Sequence, residues 1–81
     1  MQYARIEIDK QCFDAREKSV ALETIFGTVY APKSKIIVVR ERKPDMATNI
    51  MVEMLVPVWV FRAKDLNPCQ MTTGFIEQIR I

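Results

Sequence analysis

The chain has 81 residues and a net charge of +2, from twelve basic and ten acidic side chains, with no histidine. That length fits one domain with a thin core, and a balance so near neutral names no polyanionic partner by itself. The missing histidine excludes the Ser-His-Asp and Cys-His arrangements and the commonest zinc ligands.

Gln2–Asp9 alternates, with Ala4, Ile6 and Ile8 on one face and Tyr3, Arg5, Glu7 and Asp9 on the other. Period two over eight residues predicts a half-buried strand. Lys10–Lys18 breaks the alternation and reads as a charged loop with at most one helical turn, from which Phe13 folds back onto the core. Ser19–Phe26 and Thr28–Ala31 read as strands of a hairpin around Phe26–Gly27, with Tyr30 outward. Pro32 ends that hairpin, and Lys33–Lys35 forms a polar corner.

Ile36–Arg42 opens with four β-branched residues in succession, which favours strand over helix. Asn49–Val56 is apolar on both faces. Together they predict a central antiparallel pair whose second face is covered by a helix or by another copy of the chain. Pro57–Leu66 reads as a helix begun by Pro57, anchored in the core by Trp59 and stopped by Asn67–Pro68, with a strand over Val58–Phe61 as the alternative. Gly74 then opens a last strand, Phe75–Ile81, that closes the sheet against an earlier one. The expected fold is mainly β: a small antiparallel barrel-like sheet of five to six strands, SH3-like or OB-like, with one short helix near residues 57–66. An open sheet covered by the helix is the second architecture.

No catalytic, cofactor-binding or metal-ligating pattern stands out, so a non-enzymatic protein without cofactors or a small-molecule substrate is expected. Cys12 lies near Arg16 and Lys18, yet a lone thiol there is usually inert. Two cysteines do not make the frame of a small secreted domain, and the longest apolar run is too short to span a bilayer. These features place the chain in the cytoplasm, with free thiols and no membrane partner.

Two binding surfaces compete. Lys33, Lys35, Arg40, Arg42 and Lys43 fall close together, with Tyr30 just before them and Glu41 among them. Basic residues beside an aromatic on a small β fold suit single-stranded nucleic acid, with phosphate neutralisation supplying most of the affinity; they also suit a solvated strand end protected against edge pairing. The second surface is apolar, at Ile37, Val39, Met51 and Leu55, and suits a homodimer or docking on another protein.

The stretches Lys18–Thr24 (KSVALET), Val29–Ile36 (VYAPKSKI) and Val56–Trp59 (VPVW) resemble a group of small, uncharacterised phage and bacterial-genome proteins. Members of that group carry an extended segment ending in a W-x-P-K-S-type corner, a second strand and a V-P-x-W helix start. The resemblance spans residues 18–66 and departs at Tyr30–Ala31, where an aliphatic residue or tryptophan is more usual. It implies a phage or mobile-element context without a defined activity, and marks Pro32, Lys33, Ser34, Pro57 and Trp59 as motif positions.

Overall fold

The computed structural model describes residues 1–43 and 49–81. Among these residues six strands form two antiparallel sheets. β1 (Gln2–Asp9), β4 (Ile37–Arg42), β5 (Met51–Pro57) and β6 (Phe75–Arg80) make a four-stranded sheet in the order β4-β5-β1-β6. β2 (Ser19–Thr24) and β3 (Gly27–Pro32) make a separate hairpin. The fold is therefore mainly β, but the larger sheet ends in two edges, β4 and β6, and no closed barrel forms among the described residues.

The alternation of β1 decides the layering. Ala4 and Ile6 are fully buried and pack with Met54 and Val56 of β5. Val20 and Leu22 of β2 and Val29 and Ala31 of β3 close over them from the hairpin. Asp9 ends β1 and caps a short helix, α1 (Lys10–Asp14), by accepting a hydrogen bond from the Gln11 N–H at 2.7 Å. Phe13 of α1 folds back against the core.

The hairpin turns through Ile25–Phe26 into Gly27, where φ is 122°. The Thr24 hydroxyl donates to the Gly27 carbonyl at 2.7 Å and accepts from the Phe26 N–H at 3.1 Å. Phe26 stands at the exposed tip, so β2 ends at Thr24 and not at Phe26.

The predicted helix at 57–66 shrinks to one turn, α2 (Trp59–Arg62). Pro57 is the last residue of β5, across from Tyr3, instead of the first helical residue. The stop comes earlier than Asn67–Pro68: Asp65 takes a left-handed φ of 58°, and the Leu66 N–H donates back to the Phe61 carbonyl at 3.1 Å. Within this turn Val60 and Phe61 face the core while Trp59 is 47% exposed. Phe61, not Trp59, is the aromatic anchor.

β6 pairs with β1 as its sequence suggests, yet the register shifts between Arg5 and Ile6. Phe75 thus sits beside the core residue Ile6, whereas Ile79 sits beside Tyr3 on the opposite face. Gly74 is fixed by close approach: φ is 90°, its carbonyl accepts from the Glu7 N–H at 2.8 Å, and an added Cβ would lie 2.5 Å from the Glu7 carbonyl oxygen. Gly74→Ala is expected to cost roughly 2–5 kcal/mol, from backbone strain plus overlap with main chain that cannot swing away. Gly27→Ala meets no atom within 4 Å and costs only the strain, about 1–3 kcal/mol. Urea unfolding of the two variants side by side checks the difference.

Candidate functional site

The sequence-predicted residues divide between two surfaces of the sandwich. Tyr30 alternates with the buried Val29 and Ala31, so it stands on the outer surface of the hairpin, half exposed. Arg40 and Arg42 lie across from Glu53 and Met51, on the face of the larger sheet that points away from the hairpin. A single nucleic-acid surface through Tyr30, Arg40 and Arg42 is not assembled.

Both arginines are also engaged. Glu53 is 3% exposed, and its carboxylate accepts from Arg5 Nε at 3.1 Å and Arg40 Nε at 3.2 Å. Arg42 donates through Nε and Nη2 to both oxygens of Glu7, at 2.6 and 2.7 Å. Arg42 with Glu7, and Arg5 with Glu53, are bidentate, the strong form of the pair, whereas Arg40 reaches a single Glu53 oxygen. These pairs cover the centre of the outer face, which the sequence left to a helix or a second copy. Leu55 is correspondingly buried and Met51 half-buried. Of the four predicted interface residues, only Ile37 and Val39 remain open.

Hydrogen bonds from Arg5, followed by the charge of Arg40, hold the Glu53 carboxyl below its ordinary value despite the opposing effect of desolvation. A carboxyl with a lower pKa when folded adds stability above its unfolded pKa, and that stability is lost as pH falls through the folded value. Wild type is therefore expected to exceed Glu53→Gln in urea stability at pH 7, with the difference shrinking as the pH is taken below about 4. An unchanged difference at acid pH would contradict the charge-based role of Glu53.

The basic corner has a different organisation. Lys33–Lys35 is a 3-10 turn after Pro32, and the Lys33 N–H donates to the Lys18 carbonyl at 2.9 Å. This bond brings residues 16–18 beside the corner. The Arg16 guanidinium lies 4.7 Å from the centre of the Tyr30 ring, and the Lys33 ammonium 4.6 Å from that of Phe13. Lys35 and Lys43 are exposed and make no ion pair among the described residues. Asp45, close to these basic residues in the sequence, lies outside the described residues. Arg16 and Lys18 were missed because a cross-strand bond, invisible in sequence spacing, joins them to Lys33.

β4 itself is exposed along its whole length. Ile37, Val38 and Val39 are 46, 49 and 47% exposed. A register shift between Val38 and Arg40 inserts Val39 as an extra residue opposite β5. Among the described residues β4 pairs with β5 on one side and nothing on the other, so its second row of backbone groups faces outward. At its Ile37 end lies a shallow groove of about 430 Å3, walled by Trp59, Tyr3, Pro57 and Ile37, with Lys35 on its lining.

Cys12 and Cys69 are free and exposed. No group of three or more potential ligating side chains gathers among the described residues, and none of the described helices is long and apolar enough to cross a membrane. The chain matches no protein-family model, no curated protein and no solved structure.

Proposed function

We propose that this chain is a small protein-binding module that takes an extended segment of a partner as a new strand along β4. The observation that carries the reading is the open edge: three consecutive β-branched residues, each about half exposed, on a strand that pairs on one side only among the described residues. Edge strands are ordinarily shortened, covered or charged to prevent such pairing. Here the charges lie at Arg40 and Arg42 and are held back across the sheet by Glu53 and Glu7, so Ile37–Val39 is left open. Strand addition supplies main-chain hydrogen bonds for affinity and alternating side-chain contacts for selectivity.

Charge favours a different protein over a second copy. Antiparallel pairing of two β4 strands sets the Lys33–Lys35 end of one against the Arg40–Lys43 end of the other. Glu41 is the only acid within that stretch, and it already binds Lys10. Like charges placed opposite oppose pairing, whereas an apolar segment with acidic flanks meets the same edge favourably.

An NMR titration with a synthetic alternating Thr/Val heptapeptide tests this reading. Shifts are expected in β4 and not in β6, and they are expected to vanish when alternate peptide nitrogens are methylated. Equal binding of the methylated peptide, or shifts confined to the hairpin, would overturn it.

A second reading rests on a separate observation, the Arg16 guanidinium over Tyr30 and the Lys33 ammonium over Phe13, with the Lys18 backbone bonded to that of Lys33. Such a surface suits single-stranded nucleic acid. It predicts oligonucleotide binding that weakens steeply with salt and is lost in Lys18→Glu with Lys33→Glu; no binding at low salt would remove it.

A further inference from the structure

The groove beside Trp59 bears on the chemistry of the docked segment, and its role rests on strand addition at β4. Trp59 occupies a helix whose next two residues are buried, yet it stays 47% exposed. Tyr3 and Pro57, paired across β1 and β5, line the groove with it. Ile37 belongs both to this groove and to the open edge, so the two surfaces are continuous. The volume of about 430 Å3 is ample for one large side chain. Lys35 is the charged side chain on the lining, and no carboxylate lies there.

Every pairing in the larger sheet is antiparallel. A strand added in the same sense runs opposite to β4, so its C-terminal part comes to lie at the Ile37 end. We infer that the groove receives an aromatic side chain from that part of the partner segment, and that Lys35 receives an acidic side chain next to it. The aromatic ring gains by leaving water against Trp59 and Tyr3. The carboxylate meets a cation that no other described side chain neutralises.

Trp59 is the only tryptophan in the chain, so its emission reports occupancy of the groove. The probes are an acetylated, amidated peptide Thr-Val-Thr-Val-Thr-Phe-Glu and its twin ending in Phe-Lys. The amide leaves glutamate as the sole carboxylate. The glutamate peptide is expected to shift Trp59 emission saturably and to bind at least about fivefold more tightly than its twin, roughly 1 kcal/mol. Lys35→Glu is expected to reverse that order, with circular dichroism unchanged because Lys35 is exposed. Equal affinity for the twins, or an order indifferent to Lys35→Glu, would overturn the groove assignment. If amide protection of β4 accompanied that result, strand addition would stand without it. No change in Trp59 emission and no β4 protection with either peptide would overturn both.

Discussion

Phe61→Ala lowers the unfolding free energy by about 3–5 kcal/mol, the usual cost of removing a fully buried phenylalanine ring. Phe61 is completely inaccessible and belongs to the cluster formed by β1, the hairpin and β5. A domain of 81 residues holds roughly 4–12 kcal/mol in total, so this single truncation removes a large share of it. The melting temperature is expected to drop by roughly 15–30 °C. Trp59→Ala, two positions away and half exposed, is expected to cost about 1 kcal/mol or less, since a surface substitution leaves no cavity. Thermal unfolding followed by circular dichroism ranks the pair. A larger loss at Trp59 would reverse the assignment of the aromatic anchor.

Lysine at both Ile37 and Val39 is expected to weaken binding of a strand-forming segment at least about tenfold, or about 1.4 kcal/mol. The substitutions remove the exposed apolar centre of β4 and place on it the charge that natural edges use against pairing. Both positions are exposed, so the melting temperature should move by no more than a few degrees. The combination separates a docking surface from a structural one: lost binding with retained stability is the expected pattern. Retained binding would move the contact away from β4.

Much of the architecture follows from local pattern. The alternation of Gln2–Asp9, the β-branched run at Ile36–Val39 and Gly27 between two short apolar stretches each point to the element observed. Elements whose surroundings decide them were less legible. The apolar character of Met51–Pro57 does mark a strand buried on both faces. What covers its outer face, however, is a set of arginine–glutamate pairs drawn from β1, β4 and β5, and no spacing in the chain announces them. Lys33 and Lys18 meet only through hairpin register. Trp59 was expected inside because large aromatics dominate small cores, but a single helical turn cannot bury consecutive residues on every side, and Val60 with Phe61 takes the inner face.

The interaction surface was legible in composition and not in position. The pattern groups Ile37 and Val39 with Met51 and Leu55 in a broad apolar face, whereas Leu55 is buried, Met51 is half-buried and the exposed residues line an edge. That difference changes the kind of partner. A face offers side chains alone, while an edge offers main-chain hydrogen bonds as well.

Amide hydrogen exchange of β4, with and without the alternating heptapeptide, is the most direct measurement of that edge. Free chain should exchange quickly at the outward amides of Ile37–Arg42, while β1 and β5 at the sheet centre remain protected. Addition of the peptide should slow those β4 amides selectively and leave β6 and the hairpin unchanged. Protection of β4 in the free chain at low concentration, or protection by peptide only at β6 or the hairpin, would contradict an open β4 as the binding edge.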